Sequence, residues 1–316
     1  MVHPSRAASP IVVALMALMA GAPARAADAA LCRELERNHQ LAKPQITSIQ
    51  LNALLFSAAE KGCVPLAQDL LAAGAALAAR DRLGNRPLAL AARSGQLAIV
   101  DLFLGQGAAV DARNIAGSTA LYLAAENDRL NVVRRLIDKG ADANLAGRTG
   151  VTPLAAAAYK GNDRIVEHLL ARGADANARD ATGKAPVVYA ASLGFGAIVR
   201  RLLDAGVDAN ARYGNDLTAL MWAAGYADGA GARDAEEVVN ILIDRGALVD
   251  AADDRGRTAL MMAAESGHES IVALLIARGA DATLRDKNGK GAVDLATDAG
   301  VREKLVTARQ DIRRTP

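Results

Sequence analysis

Aromatic side chains are scarce: five Tyr, three Phe and one Trp make up 3% of 316 residues. The hydrophobic fraction is nevertheless 52%, so the core has to be aliphatic and built on Ala and Leu. That balance argues against a β-sandwich or a large α/β core and suits small helices packed in series. Histidine is nearly absent. Beyond the N-terminal segment it occurs as His39, His168 and His268, none at a metal-ligand spacing to a second ligand, and two cysteines cannot make a zinc site alone. A G-x-S-x-G turn, a phosphate loop and a Cys/His dyad are also missing. Catalysis is left without residues to carry it, and neither a cofactor nor a metal is expected.

Long apolar runs are absent except at the start. MVHPSR, the run from Ile11 to Gly21, and Ala24-Arg25-Ala26 have the layout of a cleavable secretory signal peptide over residues 1–26. The alternative is a membrane anchor, but the run is short for a bilayer. This segment holds Arg6 and Arg25 and no acid, so the 37 basic and 35 acidic residues of the full chain become 35 and 35. Bulk charge therefore gives no support to a nucleic-acid or anionic-membrane partner, and no stable membrane insertion is expected after cleavage. The Ala-rich leader points to the bacterial periplasm, with extracellular release as the alternative. In an exported chain Cys32 and Cys63 read as a disulfide, which would stabilise by about 3–4 kcal/mol in the chain-entropy model. The alternative is two free, half-buried thiols. Lipidation of Cys32 is disfavoured by Leu31 directly before it.

What is present is repetition. The glycine of a "GA" or "GV" phrase recurs at 74, 107, 140, 173, 206, 246 and 279, at intervals of 33 with a single 40. A second series runs through Gly84, Gly117, Gly150, Gly183, Gly256 and Gly289, with Asp216 in the missing place. One unit, TPLAAAAYKGNDRIVEHLLARGADANA from Thr152, shows the layout. Thr152 is a helix N-cap and Pro153 sits where a missing N–H does no harm. A short Ala-rich helix ends at Lys160-Gly161, and a second, from about Asn162 to Ala171, has one apolar face. Gly173 suits a left-handed C-cap. Ala-Ala pairs such as Ala124-Ala125 and Ala157-Ala158 let neighbouring helices approach closely, and one such pair of helices cannot bury its face alone.

The phrase T-P-L-x-x-A-A-x-x-G, followed by an apolar helix and G-A-D-x-N-A, resembles the ankyrin repeat. The resemblance implies an all-α repeat solenoid of stacked helix-turn-helix units joined by hairpin-like loops. It covers residues 51–299, about seven full units and a partial closing one. Residues 27–50 are expected to form an N-terminal cap, a helix plus an extended piece, and 300–316 a charged C-terminal tail. The usual His after TPL is replaced by Ala89, Tyr122, Ala155, Val188, Met221 and Met261. Arg86 and Ala185 replace the Thr, which should weaken a local hydrogen-bond network. Asp in turns such as Asp253-Asp254 is expected to bond locally, and His268 to be a structural turn residue.

The resemblance further implies protein binding through a concave face lined by the hairpin tips and first helices. That face is expected to carry Arg82, Arg93, Arg148, Tyr159, Lys160, Lys184, Leu193, Arg212 and Tyr226, with Asn85, Ile115, Glu126, Arg255 and Lys287 beside them. Its middle, rich in Arg, Lys and Tyr, has the residue types of interface hot spots. The competing reading is that the Arg series (Arg80, Arg113, Arg179, Arg212, Arg285) pairs with the Asp series (Asp111, Asp175, Asp208, Asp281) on the solvent face. Seven extra residues within 225–237, at whose entrance Trp222 and Tyr226 stand, read as a Gly-rich loop, either for recognition or merely tolerated. The chain is thus expected to be a monomeric, non-catalytic module for another protein. Cell-wall glycan, bound on Tyr159, Tyr226 and Trp222, is the alternative.

Overall fold

The computed structural model describes residues 24–42, 46–225 and 231–314. A cap helix, α1 (Ala24–Ala42), precedes a stack of helix pairs. The pairs are α2 (Ser48–Lys61) with α3 (Val64–Ala72), α4 (Pro87–Ser94) with α5 (Leu97–Gly105), and α6 (Ala120–Glu126) with α7 (Leu130–Asp138). There follow α8 (Pro153–Lys160) with α9 (Asp163–Ala171), α10 (Pro186–Ser192) with α11 (Gly196–Asp204), and α12 (Ala219–Gly225) with α13 (Ala232–Asp244). The array ends with α14 (Ala259–Ser266) and α15 (Glu269–Ala277), then α16 (Ala292–Leu295) and α17 (Ala299–Arg314). First helices stack on first helices along one row and second helices along the other.

The local causes are those the sequence advertises. The hydroxyls of Thr119, Thr152, Thr218 and Thr258 accept from the backbone amide three residues on, capping α6, α8, α12 and α14. Arg86 and Ala185 stand in the same extended backbone with no side-chain cap. The Ala pairs are buried at every level, from Ala58-Ala59 to Ala263-Ala264, and the second helices contribute Ile99, Val133, Leu169, Leu202 and Leu275. The core is therefore one continuous aliphatic seam along the stack.

Between pairs the chain folds out into tips. The amide of Ile115 donates to Leu83 O at 3.0 Å, Arg148 to Ala116 O at 2.8 Å, Ala181 to Thr149 O at 2.8 Å and Lys287 to Arg255 O at 2.9 Å. Neighbouring tips are thus tied by single rungs. Asp81, Asp180, Asp253 and Asp286 each accept two backbone amides of their own tip. Tyr213 takes this place in the fifth tip. Burial pushes its hydroxyl up to about 12, and Arg179 lies 5.1 Å over its ring. That tip closes differently, with Asn215 and Asp216 both left-handed at φ 61° and 59°.

Three segments differ from the sequence reading. The insertion at 225–237 is not a loop throughout. α13 begins at Ala232 and has 13 residues where its counterparts such as α9 and α11 have nine, so much of the insertion lengthens a helix. Residues 226–230 lie outside the described residues. The charged C-terminal segment is helical where described: α17 runs to Arg314, and Val301 and Leu305 are buried against the last repeat. At the other end α2 starts at Ser48, capped by Thr47 and Gln50 in a reciprocal box, slightly ahead of Leu51. Cys32 on α1 and Cys63 before α3 are joined, their Cα atoms 5.4 Å apart.

Candidate partner-binding face

The second helices carry a ladder of ion pairs between consecutive repeats: Arg135 with Asp101, Arg172 with Asp138, Arg201 with Asp163, Arg245 with Asp204 and Arg278 with Asp244. All are half-exposed, so each contributes little, and Arg134 and Arg164 on the same helices stay outside the ladder.

The first-helix side is different. Tyr159, on the last turn of α8, is 50% exposed. Its ring meets Tyr189 of α10 edge-to-face, centroids 5.8 Å apart. Lys160 lies 5.4 Å over the Tyr159 ring. Lys184, just before α10, lies 5.8 Å over Tyr189 and 4.7 Å over Trp222 of α12. Five side chains from three repeats thus run Lys160, Tyr159, Tyr189, Lys184, Trp222. Among the described residues neither lysine has a carboxylate within ion-pair reach.

The carboxylate bonded into this strip, Asp180, is occupied, while Glu126 on α6 stands one repeat before Tyr159. Asp180 accepts from the Tyr189 hydroxyl, from Thr182 Oγ1 at 2.7 Å and from the amides of Thr182 and Lys184. Burial alone would raise its carboxyl, but the Tyr189, Thr182 and backbone bonds outweigh this and hold it below the usual range. Burial, and then the hydrogen bond to that same carboxylate, pushes the Tyr189 hydroxyl well above an ordinary phenol. Tyr122 on α6 is also raised, by burial and then Glu126.

The residues expected on the concave face divide. Arg82, Arg148 and Lys160 are exposed, Lys184 and Leu193 half-buried, and all remain on the surface. Asn85 is not a surface residue: it is 2% exposed, donating to Asp81 and accepting from Asn114. Arg93 is tied to Glu60 one repeat away. Arg212 braces the stack, donating to Asp216 O and to Ala252 O across the next tip. Tyr226 lies outside the described residues. The Arg and Asp series do not pair with each other. Arg80 bonds the carbonyls of Gly84 and Arg113, while Asp175, Asp208 and Asp281 accept nearby backbone amides. For Arg80 and Arg212 a carbonyl across the junction satisfies the guanidinium group, a partner the sequence does not display. Tyr189 and Asp180 escaped the sequence reading. The signal for Tyr189 was that it sits one 33-residue step before Trp222.

The histidines do not converge. His268 Nδ1 lies 2.8 Å from Ala224 O, across a repeat junction. His39 is buried on α1 with neither ring nitrogen bonded among the described residues. Desolvation and then Arg172 and Arg134 lower His168. No group of three His, Cys, Asp or Glu among the described residues is placed to hold a metal ion. No described helix is long and apolar enough to cross a membrane.

Comparison with known proteins gives this geometry its family. The family description "Ankyrin repeats (3 copies)" matches residues 55–147, 88–180, 154–252, 187–286 and 227–308, which overlap along nearly the whole described array. The chain is an ankyrin-repeat protein. Among solved structures, the ankyrin repeat domain of human ASB11 is similar to it, with a TM-score of 0.64 and 27% identity, covering 71% of this chain and 98% of that one. Among proteins of curated function, none matches. Ankyrin repeats are typically protein-binding and usually non-catalytic, and they are the family found along this chain.

Proposed function

We propose that this ankyrin array is a non-catalytic, exported module that holds a partner protein against the middle of its concave face, in the periplasm. The observation that carries the reading is the contrast between the two sides. Five Arg–Asp pairs join successive second helices, with Arg134 and Arg164 outside that ladder, whereas on the first-helix side Arg148, Lys160 and Lys184 have no carboxylate partner among the described residues and Lys160 lies over a half-exposed Tyr159. A preformed stack offers such side chains with little ordering cost on binding. Export is supported by the composition of residues 1–26 and by a Cys32–Cys63 bridge, which persists in an oxidising compartment. The glycan alternative is weakened here: Lys184 lies over the Trp222 ring and the tyrosines meet edge-to-face, so among the described residues no flat aromatic platform is open.

The test is crosslinking with mass spectrometry in the exported fraction, wild type beside an Arg148→Ala/Tyr159→Ala/Lys184→Ala variant of unchanged melting temperature. A protein captured by wild type and lost by the variant is the expected result. Capture that the variant leaves intact would remove the concave face from the reading. Cytosolic retention of the full chain, with residues 1–26 uncleaved, would remove export.

A further inference from the structure

We propose that the partner presents an extended acidic segment, two carboxylates with apolar residues between them, to the strip Lys160–Tyr159–Tyr189–Lys184–Trp222. This rests on the protein-binding reading above and specifies its chemistry. The sign of the charge comes first. The two ammonium groups are the strip's cations, both without a carboxylate partner, and the adjacent carboxylate, Asp180, is already saturated by hydroxyls and backbone amides. A cationic ligand would meet rings whose nearest charges are lysines. An anionic one finds two ammonium groups resting against aromatic faces, where cation–π attraction reduces the freedom they lose on binding.

Spacing comes next. Lys160 ends α8 and Lys184 precedes α10, so the two stand at opposite ends of neighbouring first helices. They are linked by three ring contacts of 5.4, 5.8 and 5.8 Å, which bound their separation from above. An extended chain crosses such a gap in about four or five residues at ~3.4 Å each. A helical ligand would need carboxylates two or three turns apart to span the same bound at ~5.4 Å a turn. Between the anchors lie the Tyr159 and Tyr189 rings, an apolar floor.

The experiment selects a random dodecapeptide phage library on the intact, disulfide-bonded array and measures the best synthetic peptide by fluorescence anisotropy. Wild type should enrich peptides with two Asp or Glu about four residues apart, on one face of an extended chain, and apolar side chains between. Binding should weaken at least about tenfold in Lys160→Glu/Lys184→Glu, stay within about threefold in Lys160→Arg/Lys184→Arg, and weaken as salt rises. Both lysines are surface side chains, and an unchanged melting curve confirms that each variant folds. Peptides without the acidic pair, or acidic peptides indifferent to the charge reversal, overturn the proposal. If non-acidic peptides bind and are lost in Tyr159→Ala, the acidic chemistry fails while the concave-face reading stands. If no peptide depends on Tyr159 or on either lysine, both fail. A carboxylated oligosaccharide that outcompetes the best peptide would hand the strip to glycan.

Discussion

Position 185 shows how much one side chain contributes at a repeat junction. Thr119, Thr152, Thr218 and Thr258 cap the helix they precede, and Ala185 holds nearly the same extended backbone, φ −104° and ψ 167° against −94° and 171° at Thr119, with no cap. Ala185→Thr should add roughly 1 kcal/mol to stability, read as a higher urea midpoint at unchanged slope. The Tyr189–Asp180 bond makes a prediction in pH. Asp180 is depressed in the folded state, so its contribution is complete above the ordinary carboxylate range and is lost as pH falls through its folded value. Tyr189→Phe removes one of the depressing bonds. The Asp180 carboxyl should then titrate higher by NMR, and the acid limb of unfolding should begin at higher pH; an unmoved titration would show that the backbone amides suffice. The threonine caps were legible because a cap is written within four residues. Asp180's partner nine residues on was not, because a tip residue and a residue on the following helix become neighbours only once the tip folds back.

At the scale of elements, the tips are held by close backbone approach. A Cβ at Gly117, whose φ is 78°, would stand 2.6 Å from Arg148 N, the donor of the rung to Ala116. Gly117→Ala should therefore cost about 2 kcal/mol, combining left-handed strain with a displaced rung. Calorimetry together with amide exchange at Arg148 checks it: loss of stability with the Arg148 amide still protected would point to strain alone. Helix pairing and register were readable from the glycine series wherever the 33-residue interval holds, because that period fixes where each turn must fall. The insertion was misread for a stated reason. Its glycines look like loop, yet Ala232 to Glu237 are adequate helix formers once Val238, Val239 and Leu242 anchor the segment in the seam. The charged C-terminal segment was read as a polar outer end, and its helix was not seen because charge hides the apolar pair Val301 and Leu305.

For the whole molecule, the stack has the energetics of a row. Each unit touches its neighbours, so stability is a sum of unit and junction terms, and the ion-pair ladder of the second helices adds small increments at successive junctions. What the sequence could not supply was which surface stays free. Composition placed Arg on both sides alike; only the three-dimensional register separates Arg93, held by Glu60, and Arg212, bonded across a tip, from Arg148 and the two lysines of the strip. Residues 33 to 40 apart decide this, and their pairing is invisible in any local window.

The bridge between Cys32 and Cys63 also gives the row a direction under force. Stretched from both ends, the chain should part in a staircase, each repeat of 33 residues releasing about 115 Å of contour length. The stitched end cannot contribute the stretch between its cysteines, 31 positions apart, so total extension should fall short by about 100 Å until a dithiol is added. The array would then behave as a zipper with one riveted stop, paying out from its C-terminal side first, and an optical trap can count the missing length directly.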